Sequence, residues 1–221
     1  MESSWDKLVP RTSYHFDPFK IDPAYDAMRY AGRFTGDWSK ELAQTITSSE
    51  EITWRNRNPK DGTSKDIKSE EYDLVRSGAD ADLVLTNLEY DLLPVFQRMT
   101  DALSLVSVDK KELQTRVHIQ QPGQVWNLHI DKLEKFNKAD PHSVYRFMIM
   151  LNDWEPGHFI QYGNFVHTGY RAGEIYSFDW YNVPHCTANA GLGPRCTLLV
   201  TGVATDKTLK LFSTYNNQIV V

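Results

Sequence analysis

Two histidines and one aspartate in this chain have the residue types and the spacing of a metal site. His129 and Asp131 stand two residues apart in the segment VWNLHID, and alternate residues of a strand point to the same face. His185 follows in a later segment of strand-like sequence. Imidazole and carboxylate donors of this kind bind first-row transition metals and leave coordination positions open. The three residues therefore predict one metal centre built from two strands.

A second His-x-acid pair stands near the N-terminus. The chain has seven histidines and 29 acidic residues, which predicts about one accidental match of this kind. His15 and Asp17 form it, directly before Pro18. We interpret this pair as accidental, because no strand-like run precedes it.

An arginine and a threonine follow His185 at a spacing suited to anion binding. Arg195 and Thr197 lie beyond a Gly-rich turn, so they and His185 are expected on two strands that share one pocket. A guanidinium fork with a hydroxyl beside it suits a carboxylate. The pattern indicates a pocket with a metal at one end and the far carboxylate of a dicarboxylate at the other.

These residues together resemble the 2-oxoglutarate/Fe(II)-dependent oxygenase superfamily, whose facial triad is two histidines and one carboxylate. The resemblance covers residues 116–203. Two further tracts, Tyr145–Asp153 and Phe165–Asp179, resemble aspartyl/asparaginyl β-hydroxylase-like enzymes and bacterial proline cis-hydroxylases. The fold that this resemblance implies is mainly β with flanking α-helices, a double-stranded β-helix of the jelly-roll, cupin-like kind.

The resemblance also implies a role for each of these residues. His129, Asp131 and His185 would bind Fe(II). Arg195, helped by Thr197, would bind the distal carboxylate of the cosubstrate 2-oxoglutarate. O₂ would take the position that the protein and the cosubstrate leave open, and ascorbate is a candidate reductant. Halogenation is disfavoured, because halogenases of this superfamily replace the acid that stands here as Asp131.

Two further residues are candidates for cosubstrate binding. Arg146 stands at the place of a cosubstrate-binding arginine in the hydroxylases just named, and a salt bridge at the rim of the barrel is the alternative for it. Asn127 shares the strand parity of His129, so we expect its side chain to face the same pocket.

The activity that the resemblance implies is a dioxygenase reaction. An unactivated C–H bond, of an amino acid or a peptidyl side chain, would be hydroxylated while 2-oxoglutarate is decarboxylated to succinate. One alternative is desaturation or demethylation of a small metabolite with the same cofactors. The other is a non-catalytic, cupin-like metal-binding module.

Composition and charge restrict the partners and the location. The 221 residues carry 24 basic and 29 acidic side chains, a net charge of −5, so no basic field attracts nucleic acid. No apolar run approaches the ~20 residues that span a bilayer, and the N-terminus lacks the apolar core of a signal peptide. We expect a cytoplasmic protein that acts on a small-molecule or peptide substrate, with neither nucleic acid nor membrane as a partner and with its oligomeric state open.

The sequence predicts one domain over residues 1–221. Residues 1–108 would form an N-terminal α/β elaboration that buttresses the core, residues 109–206 the double-stranded β-helix catalytic core, and residues 207–221 a C-terminal strand. Helical spacing of apolar residues predicts a helix within Glu89–Leu105. Strand-like runs predict strands over Arg116–Gln120, Val125–Asp131, Tyr145–Asn152, Gly173–Trp180, Val183–Asn189, Arg195–Val203 and Leu209–Tyr215.

Parity and position also assign the remaining histidines and one tryptophan. His118 is either a pocket-lining residue or, more commonly, a satisfied polar residue of its strand. Trp126 is predicted to point away from the pocket into the core, in preference to a role as a substrate platform. His142, His158 and His167 are assigned to loops, where exposure to solvent is expected more often than substrate contact.

Overall fold

The computed structural model of the chain describes residues 28–48, 54–57, 64–67, 83–85, 92–108, 113–163, 165–213 and 218–221. The pair His15 and Asp17 lies outside the described residues. No helix among the described residues is long and apolar enough to cross a bilayer.

The described residues are mainly β-structure with a few helices. The strands are β1 (Met28–Thr35), β2 (Trp54–Arg57), β3 (Ser64–Ile67), β4 (Leu83–Leu85), β5 (Gln114–Gln120), β6 (Val125–His129), β7 (Val144–Met150), β8 (His158–Tyr162), β9 (Phe165–His167), β10 (Glu174–Phe178), β11 (His185–Asn189), β12 (Arg195–Val203) and β13 (Gln218–Val220). The α-helices are α1 (Ser39–Ser48), α2 (Pro94–Ala102) and α3 (Asp206–Lys210), and single 3₁₀ turns cover Glu134–Phe136, Pro141–Ser143 and Leu211–Ser213.

Two sheets build the body of the molecule. The larger has six strands in the order β13-β1-β10-β7-β12-β5, and the smaller has four in the order β6-β11-β8-β9. Neighbouring strands are antiparallel except β1 and β13, which run parallel. Strands β2, β3 and β4 form a separate three-stranded sheet. The arrangement is consistent with a β-sandwich.

Strand β12 is the best-buried strand of the larger sheet. All nine of its residues are buried, and it pairs with β5 on one side and β7 on the other. Its apolar, β-branched sequence suits a strand that is covered on both faces. Alternation sends Cys196, Leu198 and Val200 to one face and Arg195 and Thr197 to the other.

The outer face of the larger sheet packs against helices. Val95, Phe96 and Met99 of α2 are buried in one cluster with Phe147 and Ile149 of β7. Pro94 begins α2, where a proline removes no intrahelical hydrogen bond. This cluster fixes the sheet from behind and leaves its inner face for the pocket.

The inner face of the larger sheet packs against the smaller sheet. Met148 and Leu199 from the larger sheet share a buried cluster with Ile160 and Tyr162 of β8. The Tyr162 hydroxyl donates to the Met148 sulfur at 2.8 Å. Polar residues of the same two faces converge on one pocket beside this cluster.

Within residues 207–221 the strand of the structure is β13, Gln218–Val220, and the structure differs from the prediction in two details. The predicted strand over Leu209–Tyr215 is wrong as far as the described residues reach, because helix α3 and a 3₁₀ turn occupy 206–213. A reciprocal cap between Thr205 and Thr208 begins that helix, and such a cap favours helix over strand. Strand β1, which comes from residues 1–108, lies within the larger sheet between β13 and β10, so this segment supplies part of the sheet itself.

Candidate metal centre

Strands β6 and β11 place the two histidines of the predicted triad side by side. His129 is the last residue of β6 and pairs directly with His185, the first residue of β11. Their ring centroids are 4.3 Å apart. Cross-strand neighbours in an antiparallel pair are close enough for both imidazoles to reach one ion.

Asp131 completes the triad from just beyond the strand. Its Oδ1 lies 3.6 Å from Nε2 of His129, and its Oδ2 lies 3.6 Å from Nε2 of His185. The donor atoms of the three residues all lie within 4.8 Å of one another. With ligand bonds of about 2.1 Å, donors on one ion are about 3.0 Å apart at a right angle and about 4.2 Å when opposite. The two separations of 3.6 Å from Asp131 fall within that range, so the three residues could hold a single metal ion.

The protonation states also suit metal binding. Burial alone would raise the pKa of Asp131, but the Arg146 guanidinium and the His185 imidazole outweigh it and hold the pKa well below its usual range. Burial lowers the pKa of His185 to about 3. An ionised carboxylate and a neutral imidazole are the forms that bind a metal.

Arg146 holds the carboxylate of the triad. Its Nη1 donates to Oδ2 of Asp131 at 2.7 Å, its Nε to the hydroxyl of Thr201 at 3.0 Å, and its Nη2 to Oε1 of Gln114 at 2.9 Å. All three guanidinium nitrogens are thus engaged within the protein. Of the two roles considered for Arg146, this geometry displays the salt bridge, and cosubstrate contact stays a prediction.

Arg195 lies on the wall of the same pocket and is only 2% exposed. Its Nε donates to Oε1 of Gln120 at 2.8 Å, while its Nη1 is buried without a hydrogen-bond partner. No carboxylate forms a salt bridge with Arg195 in the described part of the chain. Burial lowers its pKa, yet a guanidinium stays charged in proteins. Thr197 is buried beside it on the same wall.

Two buried amides, Gln120 and Asn189, join the sheets at this end of the pocket; we call them the amide bridge. Nε2 of Gln120 donates to the carbonyl of Gln124 at 3.1 Å and to that of Thr187 in β11 at 3.3 Å. Nδ2 of Asn189 donates to the carbonyl of Gln120 at 2.7 Å. The bridge fixes Arg195 relative to both sheets, and its only signal in the sequence is the parity of Gln120 with His118.

Trp126 lines the pocket, contrary to its predicted place in the core. It stacks on His118 with centroids 4.8 Å apart and on His129 with centroids 5.8 Å apart. The reason is an irregularity in β6: His185 pairs with His129 but Thr187 pairs with Trp126, so β6 holds one extra residue. Such a bulge reverses parity along the strand.

The same bulge contains Asn127, the other residue predicted to face the pocket. Asn127 lies within β6, but its side chain is outside the described part of the structure. Its predicted contact with the cosubstrate therefore stays a prediction.

The prediction of exposed loop positions is wrong for His158 and His167. Both are buried residues, of β8 and β9 respectively. His158 accepts from or donates to the Tyr170 hydroxyl at 3.3 Å, and His167 packs against the ring of Tyr176. Desolvation lowers the pKa of both histidines. His142 is exposed, as predicted.

Comparison with known proteins yields a distant structural likeness. No family model matches the sequence, and no curated protein matches it. Among the solved structures that match is TT1209 from Thermus thermophilus, with a TM-score of 0.32 and 16% sequence identity over 46% of this chain and 83% of that chain. A likeness at that score carries no argument about function. The His-x-Asp…His pattern and its geometry are what define the site.

Proposed function

We propose that the protein is an Fe(II)- and 2-oxoglutarate-dependent dioxygenase on a double-stranded β-helix core. The observation that carries the proposal is the pairing of two features in one pocket. One is a His₂Asp donor set that could hold a single ion, and the other is a buried guanidinium whose Nη1 has no hydrogen-bond partner and which forms no salt bridge with any described acid. A buried charge without a countercharge is costly, so Arg195 is suited to an anionic ligand.

The donor set favours iron among the candidate metals. Two histidines and one carboxylate with open positions form the facial triad of non-haem Fe(II) oxygenases. When bound, iron and 2-oxoglutarate would supply O₂ activation, with hydroxylation of an unactivated C–H bond and conversion of 2-oxoglutarate to succinate and CO₂. Desaturation or demethylation of a small metabolite uses the same residues and is the alternative outcome.

The residues of the pocket have separable tasks in this proposal. Arg195 and Thr197 bind the distal carboxylate and so set the direction in which the cosubstrate lies. Arg146 keeps Asp131 ionised and oriented. The apolar side chains of Met148, Phe178 and Leu199 line the pocket as well, and they exclude water from the reacting groups.

The substrate class rests on the resemblance in sequence. An amino acid or a peptidyl side chain is the proposed substrate. We propose that the protein acts in the cytoplasm and has neither nucleic acid nor a membrane as a partner. A panel of free amino acids and short peptides, scored by substrate-stimulated succinate release, separates the two forms of substrate.

The first experiment measures turnover without added substrate. Purified protein is incubated with Fe(II), ascorbate and 2-oxoglutarate, and succinate is followed. We expect slow release that Asp131→Ala reduces to the protein-free level, because the triad loses its only carboxylate. Asp101→Ala is the matched control, since Asp101 is exposed on α2, and it should leave release unchanged.

Two results contradict the proposal. A protein that binds neither Fe(II) nor 2-oxoglutarate cannot be the proposed dioxygenase. Binding of metal without any turnover across the substrate panel would instead assign the protein to the metal-binding modules.

A further inference from the structure

His118 lies on the inner face of β5, directly across from Thr197 of β12. Arg195 is on the same face two residues earlier, so His118, Thr197 and Arg195 form one side of the pocket. His118 and Arg195 also both line a smaller cleft that adjoins it. The register thus brings an imidazole next to the guanidinium that the proposed function assigns to an anion.

The imidazole of His118 has an unsatisfied polar atom. His118 is only 7% exposed, and its Nε2 is buried without a hydrogen-bond partner. Buried polar side-chain atoms nearly always have partners, and those that do not require an explanation. Nη1 of Arg195 is unsatisfied in the same pocket, so two nitrogens there have unused hydrogen-bonding capacity.

The ring of His118 is held in one orientation. It stacks on Trp126 with an interplanar angle of 19°, and Trp126 stacks on His129 with an angle of 14°. Stacking fixes the plane of the imidazole, so its nitrogens can act only along its edges. The stack also connects the metal end of the pocket to its anion end.

The charges around His118 determine which kind of ligand group its imidazole can bind. The guanidinium groups of Arg116, Arg146 and Arg195 all act on His118 electrostatically, whereas the acid that does so is Asp131. A basic surrounding favours an anionic acceptor over a cation or a second donor. A carboxylate has two oxygens, so it can accept from Arg195 and from a neutral imidazole at the same time.

We propose that His118 is a specificity-determining residue whose Nε2–H donates to the carboxylate that Arg195 binds, so that the pocket selects 2-oxo acids with a second carboxylate. This inference rests on the proposed function, because it takes that carboxylate to be the distal one of 2-oxoglutarate. It adds a residue from β5 to a binding subsite that otherwise belongs to β12 alone.

The test compares two ligands that differ only at the far end. Mn(II)-loaded full-length protein is titrated calorimetrically with 2-oxoglutarate and with 2-oxopentanoate, which has the same five-carbon chain without the distal carboxylate. His118→Phe keeps a flat ring against Trp126 and removes the donor. We expect it to weaken 2-oxoglutarate binding about 10- to 100-fold, the effect of one hydrogen bond to a charged group, and to leave 2-oxopentanoate binding unchanged.

Two variants serve as controls. His118→Gln places an amide N–H near the position of Nε2 and should restore part of the lost affinity. His142→Phe changes an exposed histidine and should leave both affinities unchanged. Mn(II) binding, measured by electron paramagnetic resonance, should be the same in all four proteins.

Each remaining outcome has a definite meaning. Equal affinity of wild-type and His118→Phe protein for 2-oxoglutarate overturns the role of His118 and leaves the proposed function standing. Equal losses for both ligands also overturn it, since they show a general disturbance of the pocket. A wild-type protein that binds neither 2-oxo acid refutes the proposed function, and the inference about His118 with it.

Discussion

At the scale of single residues, the site depends on how each charge is matched. Asp131 has Arg146 and two histidines around it, whereas Arg195 has neutral partners such as Gln120. The first arrangement prepares a ligand for a cation, and the second leaves a positive charge that an anion can balance. The pocket therefore has a negative carboxylate at one end and an uncompensated guanidinium at the other, the polarity that the proposed binding of a metal ion and a 2-oxo dicarboxylic acid requires.

Arg146 provides a direct test of this matching. Because Nη1 of Arg146 donates to Asp131 at 2.7 Å, Arg146→Gln should weaken Mn(II) binding roughly 10- to 100-fold, the usual effect of losing a partner of a metal ligand. Arg146→Lys keeps the charge without the planar fork and should fall between wild type and Arg146→Gln. Titration with Mn(II) in the absence of cosubstrate measures both.

Arg171→Gln is the control, since Arg171 is exposed. The alternative role of Arg146 has a different signature. If the variant binds Mn(II) normally but loses affinity for 2-oxoglutarate, Arg146 belongs to the cosubstrate site and the assigned positioning role is wrong.

At the scale of elements, a glycine joins three strands of the larger sheet. Gly173 donates to the carbonyl of Met150 at 2.6 Å and accepts from the backbone N–H of Phe34 at 2.8 Å. Its φ is +86°, and a Cβ there would overlap the carbonyl oxygen of Phe34. Both the conformation and the close approach require glycine.

Gly173→Ala should therefore lower the free energy of unfolding by more than about 2 kcal/mol, because backbone strain adds to a steric overlap. Gly169→Ala is the matched control. Gly169 also has a positive φ, +71°, but nothing lies within 4 Å of its added Cβ, so it should lose only about 1 kcal/mol. Urea unfolding measures both variants, and equal losses would show that the overlap at residue 173 is relieved at no cost.

Much of the core and the donor set could be predicted from sequence, for identifiable reasons. Strand β12 has the predicted bounds, Arg195–Val203. Its run of apolar and β-branched residues is typical of a buried strand and does not show the helical spacing of apolar residues. His129, Asp131 and His185 could be predicted as one donor set because their residue types and spacing are sufficient to identify them, and the structure brings them together. The bulge that turns Trp126 into the pocket depends on pairing with β11, and strand parity holds no information about it.

Burial was the other feature that local sequence did not reveal. His158 and His167 look like loop residues because Gly and Pro flank their short strands. Their burial depends on Tyr170 and Tyr176, which come later in the chain. The predicted strand over Leu209–Tyr215 likewise missed helix α3. The hydroxyls of Thr205 and Thr208 cap the start of that helix, and the strand-like pattern of the segment does not reveal such a cap.

At the scale of the whole molecule, buried neutral histidines make stability depend on pH. Burial holds the pKa values of four histidines below the ordinary value: His118, His158, His167 and His185. In the unfolded chain each takes up a proton near pH 6.5, whereas in the folded protein it does so only at lower pH. Between those values the unfolded state binds more protons, so stability is present above about pH 6.5 and is lost as the pH falls.

We therefore expect the free energy of unfolding of the metal-free protein to decrease steadily from pH 7.5 to pH 5 in urea titrations. His167→Phe removes one of these groups without breaking a hydrogen bond of Nε2, so its stability should decrease less over the same range. A His167→Phe slope equal to that of wild type would exclude His167 as a contributor.

The amide bridge connects ligand affinity to the mechanics of the sandwich. Gln120 accepts from Arg195 within the larger sheet and donates to the Thr187 carbonyl of the smaller sheet, so parting the sheets at this end would free the amide that orients the guanidinium. An anion that favours the held position of Arg195 favours the joined sheets by the same free energy, because linkage is reciprocal. If an anion binds there, we expect the backbone amides of β11 to exchange more slowly with the pocket occupied than with it empty, so their exchange rates would report what the pocket contains.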